Sequence, residues 1–235
     1  MSDKLPLEKR ILFEDNHLIV VNKLPSEIVQ GDKTGDEPLS ETLKHYLKEK
    51  YHKPGNVFLG IVHRIDRPVS GAVVFAKTGK ALSRMNELVK QRAMQKTYWA
   101  VVKNRPLQNK GMLVHHLVRD TKKNKSFVSR KPQKDSKEAI LSYELLASGE
   151  HYHLLEVDLH TGRHHQIRAQ LAAIGCPIKG DLKYGFPRSN PDGSISLHAR
   201  KVSFVHPVRK EKLEITAVPP HDVLWDYFLK EIAPG

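Results

Sequence analysis

The chain has 235 residues, with 39 Lys and Arg against 26 Asp and Glu, a formal charge of +13 with histidine neutral. That length suffices for a substantial buried core. The charge favours polyanionic partners, nucleic acid first among them, although a generally basic soluble protein has the same balance. Aromatic residues make up only 7 %, which disfavours an extended base-stacking surface. No apolar run reaches the length of a membrane span. The opening MSDKLPLEKR lacks the apolar segment and small-residue cleavage site of a signal peptide. One cysteine, Cys176, excludes an intrachain disulfide framework, so a cytoplasmic protein is expected.

Residues 11–14 and 17–23 predict two strands joined at Asp15-Asn16, with Pro25 ending the second and a polar loop over 26–38. Ser40 is the expected cap of a helix carrying Leu43, Tyr46 and Leu47 on one face. Apolar runs flank the turn IVHRIDRPVSG, residues 61–71. Thr78 is the expected cap of a helix over 79–94, with Ala81, Leu82, Met85, Leu88 and Val89 inward and Lys80, Arg84, Lys90 and Arg92 outward. Strands follow at 97–103 and 112–118. Residues 119–137 hold Arg119, Lys122, Lys123, Lys125, Arg130, Lys131, Lys134 and Lys137, against Asp120 and Asp135. This segment is either a mobile basic loop or a ragged hairpin, and its charge suits contact with phosphates. Paired strands are expected at 139–147 and 151–159, then a helix over 162–175 stopped by Gly175 and Pro177. Two strands, about 195–205 and 211–218, precede a last helix over 221–232 with Val223, Leu224, Tyr227 and Phe228 inward. Strands that follow one another without crossover helices favour an α+β fold with a mixed, mostly antiparallel sheet. No linker separates two compositions, so a single domain over 1–235 is expected.

Three stretches carry chemistry. In HRID, Asp66 lies between Arg64 and Arg67, and Pro68 forces position 67 into an extended or turning conformation. A charged carboxylate there suits a nucleophile or an electrostatic stabiliser, but spacing alone slightly favours a structural Asp–Arg pair. HTGRHHQIR, residues 160–168, crowds Arg163, His164, His165 and Arg168 at a helix start, which is either an anion site or simply a basic solvated face. KTYWAVVK places Tyr98 near the start of a strand, where a tyrosine is more often simply packed. His151 with His153, and His160 with His164, have ligand-like spacing, but no cysteine pair or HExxH accompanies them, so no metal is expected. Neither a Walker loop nor GxGxxG is present, so no nucleotide cofactor is expected.

Taken together these stretches resemble the RluA-type RNA pseudouridine synthases. VHRIDRPVSGAVVFAKT is similar to that family's HRLDxxTSG segment and the strand ending in AKT. KTYWAVV is similar to its KxYxA strand, and HTGRHHQIRAQLAAIGCPIKGDLKYG to its GRTHQIRxHLxxxGxPIxGDxxYG segment. The resemblance implies the pseudouridine synthase fold, a central mixed sheet with flanking helices and a basic cleft. It implies isomerisation of uridine to pseudouridine in structured RNA, rRNA or tRNA, on a flipped nucleotide and without cofactor or metal. By position, Asp66 matches the essential aspartate, acting at the sugar either by attack at C1′ or by assisting loss of the 2′ hydrogen. Tyr98 matches the active-site tyrosine, a candidate for proton removal at C5, and Arg168 the basic residue that pairs with the aspartate. Arg64 matches an arginine that fills the gap left by the flipped nucleotide in some members, and Ile167 an apolar wall of the uracil pocket. His63 and Arg163, in the same motifs, complete the expected substrate-binding set. Lys122, Lys123, Lys125 and Arg84 are the expected RNA contacts. Val69 replaces the usual Thr of TSG, which predicts altered turn bonding without loss of a catalytic group, and His164 replaces the Thr of GRTHQIR. The sheet opens near Ile11, so a stand-alone, monomeric enzyme without an S4 domain is expected. The competing expectation is a catalytically silent RNA-binding protein on the same fold, which loss of Asp66, Tyr98 or Arg168 would have signalled.

Overall fold

A computed structural model describes residues 5–129 and 131–233. The first four residues and Arg130 of the basic run lie outside them. In chain order the elements are β1 (Ile11–Glu14), β2 (Leu18–Lys23), α1 (Leu39–Lys50), β3 (Gly60–Ile61), β4 (Ser70–Ala76), α2 (Gly79–Lys90), β5 (Gln95–Val102), β6 (Lys110–Asp120), β7 (Lys125–Ser129), β8 (Lys137–Ser148), β9 (His153–Leu159), α3 (Gln166–Ala173), β10 (Leu197–Val205), β11 (Lys212–Thr216) and α4 (Val223–Glu231). They form two compact units. Among the described residues, one comprises 5–94 and 199–218, the other 95–129, 131–198 and 219–233.

In the first unit β1 and β2 form an antiparallel hairpin. Asp15 Oδ1 closes its turn, accepting from the His17 and Leu18 amides at 2.7 and 2.8 Å. β2 pairs antiparallel with β4, β4 with β3, and β10 with β11. Leu18, Val20, Ala72 and Val74 pack with Ala81 and Met85 of α2 and with Val202, Phe204 and Ile215. Burying Met85 completely contributes about 1.5–3 kcal/mol. Thr78 caps α2, its Oγ1 accepting from the Ala81 amide at 3.2 Å, although the helix ends at Lys90, four residues short of expectation. α1 starts one residue before Ser40, which is buried inside the helix and makes no capping bond. Pro38 takes the cap position, its fixed φ suited to helix entry.

Glu14 ties β1 to α1. Its carboxylate accepts from Lys50 Nζ at 2.8 Å, Lys77 Nζ at 2.8 Å and Tyr51 Oη at 2.7 Å. Burial alone would raise the Glu14 carboxyl, but these bonds outweigh it and hold it at about 2, from an ordinary value near 4.5. A carboxyl depressed in the folded state stabilises above its unfolded pKa, and that stabilisation is lost as pH falls through the folded one. Glu14→Gln is therefore expected to cost about 2 kcal/mol at pH 7, and the gap from wild type should narrow between pH 4.5 and 2 in urea titrations.

In the second unit the strand order is β5-β9-β8-β6-β7, each neighbouring pair antiparallel. The basic segment over 119–137 resolves in part as a hairpin: β6 and β7 pair from His116↔Ser129 to Asp120↔Lys125, around a turn at 121–124. α4 differs from expectation. Trp225 and Phe228 are its buried residues, whereas Val223 is 89 % and Tyr227 39 % exposed. The Asp222 cap accepts from the Leu224 and Trp225 amides at 2.8 Å, and the apolar stripe at i, i+3, i+4 and i+7, Trp225, Phe228, Leu229 and Ile232, packs inward on Trp99, Val101 and Leu154. Tyr98 is buried, opposite Val157 of β9. No helix among the described residues is long and apolar enough to cross a membrane.

Candidate active site

In the first unit, Asp66 sits on the turn between β3 and β4. The Val69 amide donates to the Asp66 carbonyl at 3.0 Å, so the backbone closes this turn without the hydroxyl that Val69 lacks. The Val69 side chain is buried instead. His63 Nε2 accepts from the Val74 amide at 3.2 Å, so this ring nitrogen is engaged by β4, a structural use that the HRID motif does not suggest. Gly71 enters β4 with φ +116°, and a Cβ there would lie 2.3 Å from the Ala199 carbonyl oxygen; glycine alone tolerates both.

The two arginines beside Asp66 do different work. Arg64 is exposed and donates to Gln30 Oε1 at 3.2 Å. Arg67 had no role in the sequence, and here it fastens the loop after β2. Its guanidinium pairs with Asp36 and donates to Thr34 Oγ1 at 2.9 Å. Its carbonyl accepts from the Ser26 amide at 2.9 Å.

Beneath this turn lies Lys23, fully buried at the end of β2, a residue the sequence patterns did not single out. Its ammonium donates to the carbonyls of Leu24 and Glu27 at 2.8 Å and of Arg67 at 3.1 Å. Burial pulls it down to about 7, against the opposing influence of Glu27 and Asp66. Nothing in VVNKLP marks a lysine for burial. What holds it is a ring of carbonyls from segments far apart in sequence. Arg84 is exposed on α2, with one donor on the Pro207 carbonyl at 3.2 Å.

In the second unit, Ile167 and Arg168 are buried in the first turn of α3. The helix begins at Gln166, later than expected, because His165 has φ +51° and cannot extend it backwards. Gln166 organises the start: its Oε1 accepts from Thr161 Oγ1 at 2.8 Å and from the Arg163 amide at 3.0 Å, and its Nε2 donates to the Ile140 carbonyl at 3.0 Å. Arg163 donates through Nε to the Glu138 carbonyl at 2.9 Å, which anchors the loop.

Arg168 forms a two-pronged ion pair with Asp181, Nε to Oδ2 at 2.7 Å and Nη2 to Oδ1 at 2.8 Å, both residues buried. The guanidinium also lies over the Tyr184 ring, 5.1 Å from its centroid. Asp181 and Tyr184 both belong to the GDLKYG stretch, and their part in fixing Arg168 was missed. Lys96 shares a face of β5 with Tyr98. Burial lowers its ammonium, and its Nζ lies 3.6 Å from where a Cβ on Gly162 would stand. Of the expected RNA contacts, Lys122 and Lys123 are exposed at the hairpin turn. Lys125 is half-buried, its Nζ over the rings of Phe127 at 5.2 Å and Tyr184 at 4.9 Å, so it packs back onto the unit. Among the described residues no group of three or more His, Cys, Asp or Glu is placed to hold a metal ion.

The sequence model for RNA pseudouridylate synthases matches residues 17–173. A Bacillus subtilis protein named uncharacterized RNA pseudouridine synthase YhcT is 32 % identical over 219 residues, 92 % of this chain and 70 % of its own. The tRNA pseudouridine synthase C of Vibrio parahaemolyticus is 30 % identical over 234 residues, covering 90 % of this chain and 91 % of that protein. Among solved structures, human RNA pseudouridylate synthase domain containing 4 has a TM-score of 0.79 over 96 % of this chain and 94 % of its own, at 24 % identity, which shows a shared α+β fold.

Proposed function

Since the chain belongs to the RNA pseudouridylate synthase family and isomerises uridine to pseudouridine in RNA, we propose that Asp66 is the carboxylate that carries the reaction. The reaction breaks the C1′–N1 bond, turns the uracil and joins C5 to C1′; the C5 proton leaves and N1 gains one, so atoms balance without a co-reactant. The observation that carries the assignment is the turn itself. Asp66 is fixed through its own carbonyl by Val69, while the adjoining Arg67 is held from both sides by Lys23 and Asp36. A carboxylate on so constrained a turn meets the sugar with little conformational freedom to lose.

In this reading Tyr98 lies against the base and removes the C5 proton, Arg168 supplies fixed positive charge, and Ile167 forms an apolar wall for uracil. Arg64, exposed and bonded to Gln30, takes the place of the flipped nucleotide. His63 holds the turn, and Arg163 contacts a phosphate near the flipped nucleotide. The substrate is structured RNA, tRNA or rRNA, and the enzyme works as a cytoplasmic monomer without cofactor or metal. Release of tritium from RNA labelled at uridine C5 tests the activity, and mapping pseudouridine in cells lacking the gene tests the target.

Lys122 and Lys123 reach RNA phosphates from the hairpin turn, and Arg84 from α2. The double change Lys122→Ala and Lys123→Ala is expected to weaken RNA binding and to flatten the plot of log affinity against log salt. The slope should fall by about 0.7–0.9 for each phosphate that is no longer neutralised. Filter binding across a salt series measures it, and an unchanged slope removes the turn from the interface.

A further inference from the structure

His164, where the resembling motif has threonine, joins the basic hairpin to the start of α3. Its Nε2 lies 3.1 Å from Asn124 Oδ1 and its Nδ1 2.9 Å from Ser126 Oγ, so one ring bridges the hairpin turn to the first residues of β7. The bonding is self-consistent: Nε2–H donates to Asn124, and the Ser126 hydroxyl donates to Nδ1. The ring stacks on His165, with centroids 3.8 Å apart and an interplanar angle of 21°. His165 is buried, and burial together with Arg168 pushes its imidazole down to about 2, so it is neutral and Nδ1 can accept. Tyr184 Oη donates to that nitrogen at 3.0 Å and itself accepts from the Ser126 amide at 2.8 Å. Lys183 Nζ adds a bond to the Asn124 carbonyl at 3.1 Å.

The two ends of this network matter for different reasons. At one end Lys122 and Lys123 stand exposed beside Asn124. At the other, Tyr184 lies under the Arg168 guanidinium that Asp181 holds. We propose that His164 is a positioning residue for RNA, a latch that fixes the Lys122–Lys123 turn on the helix that presents Ile167 and Arg168. The inference rests on the reading that this turn contacts RNA phosphates. A threonine has one hydroxyl and no ring, and cannot bridge Asn124 and Ser126 while stacking on His165. The latch therefore sets a fixed distance between the phosphate-binding turn and the helix, a constraint on the RNA shapes that can be modified.

The test uses the full chain with His164→Ala and His164→Gln. Trypsin cuts after Lys122, Lys123 and Lys125, so the rate of cutting within the hairpin reports its release. Removing two bonds and a stack is expected to speed cleavage of His164→Ala by roughly 5–10-fold and to raise KM for RNA by a similar factor, with kcat within about twofold of wild type. His164→Gln, whose amide restores one bond, should fall between. A merely structural residue would lower thermal stability and kcat without this selective rise in KM. Unchanged cleavage overturns the latch. Faster cleavage with unchanged KM also overturns the proposal, and the Lys122→Ala, Lys123→Ala variant then tells which part failed. If that variant has weakened RNA affinity, the latch does not position RNA; if it has not, the RNA reading of the turn fails with it.

Discussion

Asp66→Asn is expected to lower pseudouridine formation by a factor on the order of 10⁴ or more, while RNA affinity and its salt dependence stay close to wild type. Asparagine is nearly isosteric, and the bond that closes the turn comes from the backbone, Val69 N–H to Asp66 C=O at 3.0 Å. The clamp beside it, Arg67 with Asp36 and Thr34, is also untouched. The turn should therefore keep its shape, and the missing activity can be read as missing chemistry. Single-turnover tritium release measures the rate and filter binding the affinity. A variant retaining wild-type turnover would remove Asp66 from the mechanism. A parallel loss of affinity and thermal stability would point to a structural ion pair, the alternative that the spacing of HRID left open.

Local pattern was legible wherever a residue acts through its own neighbours in sequence. The Asp15 turn, the Thr78 cap and the hairpin alternation could be read because the bonds involved span a few residues. Burial was readable only to the extent that helix phase was. In α4 the stripe through Val223, Leu224, Tyr227 and Phe228 competes with the one through Trp225, Phe228, Leu229 and Ile232, and the packing selects the second, burying Trp225 and Phe228 and exposing Val223. The candidate site residues came from motif resemblance, and their supports did not. Lys23 depends on the Arg67 carbonyl 44 residues away, and the His164 latch on Asn124, 40 residues earlier. Such bonds are set by tertiary register. A lysine among apolar neighbours or a histidine in a basic stretch has the same one-dimensional signature whether it is solvated or locked.

Arg168 separates support from chemistry most sharply. Arg168 and Asp181 are 5 % and 1 % exposed, so neither charge can turn to water when the other is removed. Arg168→Met is expected to cost about 3–5 kcal/mol, because it strands a buried carboxylate. For a chain of this size that lowers the melting temperature by about 6–20 °C. The double change Arg168→Met with Asp181→Leu removes both charges and leaves apolar volume, so it should recover much of that stability. If Arg168 also supplies charge to the reaction, the recovered protein stays inactive, with tritium release at least about 100-fold below wild type even where thermal melts and urea titrations are restored. If it served only to hold α3 against the GDLKYG stretch, activity would return with stability. The two variants thus place the same guanidinium on one side or the other, since a structural role depends on the pair with Asp181, whereas a catalytic role would depend on the cation.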